Sequence, residues 1–216
     1  MKKGIIFDMD GTLWDSSVQI FESWRETLKQ FPQVQTELTL EALIGELGKP
    51  MDQFAKDLFP EISKELGDRI VAVCCQAENA YLRAHGAVLY PDLEPVLQEL
   101  GKSYHLYIVS NCQTGYIEAF LEHYGFGAYF EDIECFGNTK KTKGENIRAL
   151  VERNELTGAV YVGDTRGDLA ACQEAQIPFI WAAYGFGQVP EARVQIRSFR
   201  ELPGVLEEFQ NVLFGR

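Results

Sequence analysis

The apolar run Gly4-Ile5-Ile6-Phe7 stops abruptly at Asp8, and a second aspartate follows at Asp10. Without a polar interruption, such a run reads as a strand covered on both faces, as in a parallel sheet. A carboxylate at its C-terminal end lies where open α/β sheets bind ligands. Side chains alternate along extended backbone, so Asp8 and Asp10 can face the same side, and Gly11 permits a turn that a Cβ would obstruct. Two other uses of Asp-x-Asp-Gly fit less well. A calcium loop begun at Asp8 needs Gly where Leu13 stands and Glu where Gln19 stands. A hairpin at Asp10-Gly11 needs a second strand, whereas the pattern after Leu13 turns helical.

That helix runs to about Gln30, with Asp15 or Ser16 as its cap and Ile20, Phe21, Trp24 and Leu28 on one face. Helical segments are also expected over Leu38 to Leu47, Met51 to Leu58 and Pro60 to about His85. In the last, Ile62, Leu66, Ile70, Val73, Ala77 and Tyr81 recur at steps of three and four, the spacing of a buried stripe. From Ala87 the chain alternates. Strands His105 to Val109, Asp132 to Phe136, Ala159 to Val162 and Pro178 to Ala182 are separated by helices. These cover Asp92 to Leu100, Gly115 to Tyr124, Glu145 to Arg153 and Leu169 to Ala175, and Phe199 to Leu213 is a final helix. Alternation of this kind predicts an α/β fold: a Rossmann-like parallel sheet with helices on both faces. The all-helical block is inserted between the first and second strands. The expected division is a core of residues 1–15 and 88–216 and a helical cap of 16–87, hinged at Leu13 to Ser17 and Ala87 to Pro91.

Composition narrows the partners. A formal charge of -12 over 216 residues repels a nucleic-acid backbone. Five cysteines without a CxxC pair look like reduced cytosolic thiols, and no signal peptide or membrane-length apolar run is visible. A cytoplasmic protein with no nucleic-acid or membrane partner is expected, as a monomer or homodimer. His85, His105 and His123 are read as surface or packing residues, and Trp14, Phe21 and Trp24 as hinge and cap core.

Three strands thus end in polar groups: Asp8 and Asp10, then Ser110 and Asn111, then Asp164 with Asp168, while Lys140, Lys141 and Lys143 precede a helix. These residues, in this order, resemble the haloacid dehalogenase superfamily, in its phosphatase branch with a helical cap inserted after the first motif. The resemblance covers nearly the whole chain: DMDGT as the first motif, Ser110-Asn111 as the second, Lys143 as the third and GDTRGD, residues 163 to 168, as the fourth. It implies that Asp8 is the nucleophile taking the phosphoryl group and that Asp10 is the acid and then the base. It further implies that Mg2+ is held by Asp8, the Asp10 main-chain carbonyl and Asp164, with Asp168 on the metal or its bound water. Ser110, Lys143 and the N–H groups of the Gly11-Thr12 turn would hold phosphoryl oxygens, and Asn111 would support them. The family often has Lys-Pro at the third motif, which this chain lacks, so Lys141 is the substitute for Lys143.

The chemistry explains such a set. A carboxylate meeting a phosphate dianion brings like charges within about 4 Å, and each unit pair costs roughly 4 kcal/mol at an effective dielectric near 20. A hard cation and a lysine offset that repulsion. Asp10 argues against dehalogenation and phosphonate cleavage, because those relatives lack the second aspartate. A sugar phosphomutase and a non-catalytic regulatory or binding protein on the same fold are the alternatives. A signalling receiver domain would place its lysine after the last acidic site, whereas Lys143 precedes Asp164. The expected substrate is a small phosphorylated metabolite, with phosphoglycolate, sugar phosphates and nucleoside monophosphates all open. The cap loop Gly48-Lys49-Pro50 is the expected specificity element, with Lys49 or Arg25 meeting a second anionic group.

Overall fold

The computed structural model describes residues 2–49 and 51–215; Pro50 of the cap loop lies outside them, as do the side chains of Met51 and Asp52. Strand β1 (Lys3–Phe7) leads through a tight turn to the short β2 (Trp14–Asp15). Four helices follow: α1 (Ser17–Leu28), α2 (Leu40–Ile44), α3 (Met51–Leu58) and α4 (Lys64–His85). The chain returns in β3 (Val88–Leu89), which pairs antiparallel with β2. Both ends of the helical block therefore meet in one two-stranded ribbon at the two segments expected to be hinges.

Alternation begins with α5 (Leu93–Leu100), β4 (His105–Ser110), α6 (Tyr116–Tyr124) and β5 (Phe130–Cys135). It continues with α7 (Phe136–Thr139), α8 (Lys143–Arg153), β6 (Gly158–Gly163), α9 (Arg166–Ala175) and β7 (Phe179–Ala182). Strand β8 (Gln195–Ile196) and helices α10 (Leu202–Glu208) and α11 (Gln210–Phe214) end the described chain. The main sheet is parallel, in the order β5-β4-β1-β6-β7-β8. β1 is central because it is buried on both faces. Ile5 and Phe7 join an apolar cluster that runs on through Trp14 into the helical block, while Ile6 packs with Tyr107, Ile147 and Leu150 on the other side. The chain leaves β1 in one direction for β4 and β5, then crosses back to β6, so the order reverses around β1. Ligands bind beyond the strand ends at such a reversal.

The departures from sequence expectation have local causes. The sheet does not close at β7, because Gln195–Ile196 adds a two-residue strand too short to show a period. The expected last helix breaks into a 3-10 turn at Phe199–Glu201 and two helices, the first starting with Pro203 in its opening turn, where a missing N–H costs nothing. Ile62 lies ahead of α4, whose cap is Ser63 accepting from Leu66 N–H. The buried face of α4 is Gly67, Ile70, Val71, Cys74, Cys75, Glu78 and Leu82, and Val73 is exposed. Counting apolar residues set the stripe off-register because the real one contains a carboxylate.

Candidate active site

Asp8 stands one residue beyond β1, between the ends of β4 and β6, and its N–H donates to the Val162 carbonyl. The turn after it is made by Gly11 at φ +78, where a Cβ would run into the Asp164 carboxylate. Gly11 is thus needed both for its left-handed backbone and for the room it leaves. The amides of this turn do not match the phosphate-holding role expected of them. Gly11 N–H donates to the Trp14 carbonyl and Thr12 N–H to the Met9 carbonyl, so both are consumed in closing the turn.

Asp8, Asp164 and Asp168 are buried, with one carboxylate oxygen from each lying within 4.8 Å of the others. Asp164 follows β6 and is fixed from the segment between the neighbouring β7 and β8: its Oδ2 accepts from Phe186 N–H at 2.7 Å and Gly187 N–H at 3.3 Å. Its Oδ1 is buried without a protein partner. Asp168 is engaged differently. Oδ2 accepts from Asp164 N–H, Thr165 N–H and the Thr165 hydroxyl at 2.8 to 3.2 Å, closing a capping box on α9. Oδ1 accepts from Lys143 Nζ at 2.5 Å.

Lys143 opens α8, where Thr142 and Glu145 form another capping box, and its ammonium also lies 3.0 Å from Asp8 Oδ1. Of the two lysines considered for this place, Lys143 is buried in the cluster and Lys141 is exposed. Three carboxylates thus face one ammonium. Burial pushes the Asp8 pKa up to about 7, with Asp168's charge adding and Lys143 opposing. Burial, then Asp168 and Asp8, drive Asp164 well above the usual carboxylate range. Desolvation opposes the charge on Lys143, but Asp168 and Asp8 outweigh it and raise the pKa. A divalent cation suits this excess of negative charge and the orphaned Asp164 Oδ1.

Asp10 points away from that cluster. Its Oδ1 accepts from Ser16 Oγ at 2.5 Å and from the Tyr116 hydroxyl at 2.6 Å. Burial raises the Asp10 pKa, and the two hydroxyls hold it back. Neither partner was singled out from the sequence as touching Asp10. Ser16 reads as a helix cap, yet α1 has no side-chain cap bond from it; Asp15 Oδ1 accepts from Ser17 N–H instead.

Ser110, the last residue of β4, and Asn111 line a small chamber with Asp10 and Tyr116. Asn111 turns its amide outward, donating from Nδ2 to the Gly48 carbonyl of the helical block at 2.9 Å, which ties that loop to the sheet edge. Lys49 and Arg25 are both committed elsewhere. Lys49 Nζ pairs with Glu46 at 2.7 Å and Asp57 at 3.3 Å, and the exposed Arg25 pairs with Glu22 at 2.7 Å.

Sequence comparison agrees with this geometry. The profile of the "Haloacid dehalogenase-like hydrolase" family matches residues 5–182. The chain belongs to that family of hydrolases. Among its relatives, the phosphoglycolate phosphatase of Rhodobacter capsulatus is 24% identical over 217 residues, covering 96% of this chain and 98% of that protein. The fructose-1-phosphate phosphatase YqaB of Escherichia coli (strain K12) is 26% identical over 145 residues, covering 65% and 72%. A crystal structure described as a predicted phosphatase from Clostridium acetobutylicum superimposes with a TM-score of 0.78 at 26% identity, covering 96% and 99%. CbbY from Rhodobacter sphaeroides, solved in complex with phosphate, gives 0.79 at 18% identity over 96% and 100%, a likeness of fold.

Proposed function

We propose that this protein is a Mg2+-dependent phosphatase that hydrolyses a small phosphomonoester through an aspartyl-phosphate on Asp8. The observation that carries this reading is the placement of Asp8 against Lys143, 3.0 Å away, with Asp10 two residues on and held by two hydroxyls. An Asp8 oxygen attacks phosphorus, the bond from phosphorus to the ester oxygen breaks, and Asp10 gives its proton to the departing alkoxide. Asp10 then takes a proton from water. The water oxygen attacks phosphorus, the bond to Asp8 breaks, and inorganic phosphate leaves. Lys143 and Ser110 hold phosphoryl oxygens, and Asp168 fixes the lysine by accepting from it at 2.5 Å. Asp8, Asp164 and the Asp10 carbonyl would hold Mg2+, which neutralises phosphoryl charge when bound.

Residues 16–87 act as the cap over residues 1–15 and 88–216, swinging on the β2–β3 ribbon and fastened by Asn111 to Gly48. Names of relatives support phosphoester substrates, and the five buried free cysteines support a reducing, cytoplasmic setting. The test is phosphate release from a panel of metabolite esters with and without Mg2+, using Asp8→Asn as control. Metal-dependent release that Asp8→Asn abolishes is expected. Release that needs no metal, or full activity in Asp8→Asn, would overturn the reading.

A further inference from the structure

Glu78 is the unexpected member of the chamber that holds Asp10. It comes from the middle of α4, on the face turned to the sheet edge, and is 3% exposed. Trp24 Nε1 donates to its Oε2 at 2.5 Å, and Gln113 Nε2 donates to its Oε1 at 2.8 Å. Gln113 also donates to Asn79 Oδ1 at 2.9 Å, so the side chain that orients Glu78 is itself fixed. A carboxylate offers about four acceptor sites. Two here are filled by the protein, and two remain for a molecule in the chamber.

The position of Asp10 decides which part of a substrate enters. In the proposed reaction Asp10 reaches the ester oxygen, so the leaving group extends from Asp10 into the chamber it shares with Glu78, Ile20, Leu47, Phe54 and Tyr116. The open cleft beside Lys140, Lys143 and Thr165 adjoins the chamber at Leu47, Gly48, Lys49 and Asn111 and does not include Asp10. Charge on the leaving-group side is one-sided. Among the described residues lining the chamber, Lys49 is the one cation, and Glu46 and Asp57 already occupy it. The chamber encloses about 20 Å³, room for a water-sized group, so the leaving group is short or the cap opens to admit it.

We propose, resting on the phosphatase reading above, that Glu78 selects leaving groups that end in a hydrogen-bond donor, a hydroxyl or an ammonium, and rejects those that end in a carboxylate. A donor fills the free acceptor sites of Glu78. Above about pH 7, where Glu78 gives up its proton, a second carboxylate meets a buried like charge, and the one cation among the described lining residues is already paired. Such an interaction acts on the ester throughout the reaction and therefore registers in kcat/KM.

Three two-carbon esters isolate this effect: 2-hydroxyethyl phosphate, O-phosphoethanolamine and 2-phosphoglycolate, which differ in one terminal group. The purified wild-type protein with Mg2+, assayed at pH 8.5 where Glu78 is ionised, is expected to show kcat/KM at least tenfold higher for the better of the first two than for 2-phosphoglycolate. Glu78→Gln is expected to narrow that ratio at least fivefold, a comparison in which intrinsic ester reactivity cancels. A wild-type preference for 2-phosphoglycolate would overturn the proposal, and so would a ratio that Glu78→Gln leaves unchanged. Should Glu78→Gln not fold, the wild-type ranking decides alone. Turnover of none of the esters, with aryl phosphates also inert, would overturn the phosphatase reading and this inference with it. Turnover with the opposite ranking would overturn this inference alone.

Discussion

The Tyr116 hydroxyl donates to Asp10 Oδ1 over 2.6 Å, joining the first helix after β4 to the turn after β1. Tyr116 is buried against Trp14, with ring centroids 5.6 Å apart, so the donor cannot swing away without disturbing the ribbon that carries the cap. Ser16 supplies the second donor from the ribbon's own end. On the proposed mechanism, opening that ribbon would loosen the acid Asp10 together with the cap. Tyr116→Phe keeps the ring and removes the donor. We expect kcat for alkyl phosphates to fall about tenfold, a fraction of the ~10²–10⁴ that general acid–base catalysis supplies. Hydrolysis of p-nitrophenyl phosphate, whose leaving group needs little protonation, should fall less. Equal losses on both esters would show that Tyr116 does not act through Asp10.

Gly11 and Asp164 make a second exacting contact, since a Cβ on Gly11 overlaps the carboxylate. That carboxylate has no slack, because Phe186 N–H pins it at 2.7 Å. Gly11→Ala adds this clash to a left-handed backbone that costs a non-glycine residue roughly 1–2 kcal/mol. The variant should lose at least ~2 kcal/mol of stability by urea denaturation and respond more weakly to Mg2+. Wild-type stability in Gly11→Ala would show that the turn relaxes.

Much of this arrangement was legible in the sequence because it is local. A short apolar run ending in Asp8 states both the strand and the place where it stops, and Asp164 and Lys143 sit at equally plain strand and helix ends. What could not be read depends on contacts between segments far apart in the chain. Tyr116 reaches Asp10 across 106 residues, and the Phe186 amide that positions Asp164 comes from a loop with no pattern of its own. Main-chain donors carry no sequence signal, so the closing of the turn by the Gly11 and Thr12 amides is not legible in the residues that make it. Glu78 did leave a trace. Ile70, Cys74, Glu78 and Leu82 recur every four residues, and a carboxylate inside a buried stripe marks a functional position.

The carboxylate cluster predicts opposite effects of one substitution in two conditions. Asp8, Asp164 and Asp168 repel one another across less than 5 Å with a single ammonium between them. Asp164→Asn removes one negative charge while leaving an oxygen for the Phe186 and Gly187 amides. Without Mg2+ the variant should be as stable as wild type or more so. With Mg2+ at a hundred times its Kd, wild type should gain about 2.7 kcal/mol, or roughly 5–10 °C in Tm, and Asp164→Asn little. Thermal melts with EDTA or Mg2+ measure this without any substrate. Equal Mg2+ responses would remove Asp164 from the cation site.

Glu78 gives the stability a pH dependence whose sign follows from its burial. Desolvation raises its pKa from 4.5 to about 7, against the donors Gln113 and Trp24, with the charge of Asp10 adding to the rise. The folded protein therefore holds a proton on Glu78, between pH 4.5 and about 7, that the unfolded chain gives up. Its stabilising share is fully present below the unfolded pKa and disappears as pH rises through the folded one. At about 1.4 kcal/mol per unit, the pH-dependent part is on the order of 3 kcal/mol. Glu78→Gln carries no titrating proton. The amide leaves one of the two donors facing another donor, a constant offset that does not alter the slope. Urea denaturation at pH 5 and pH 8 should show wild type losing about 2–3 kcal/mol more than Glu78→Gln over that interval, on the same linkage. Asp8, also raised to about 7, is present in both proteins and cancels in the difference. Parallel slopes would mean that Glu78 stays ionised across the range, held by Trp24 and Gln113 in spite of its burial.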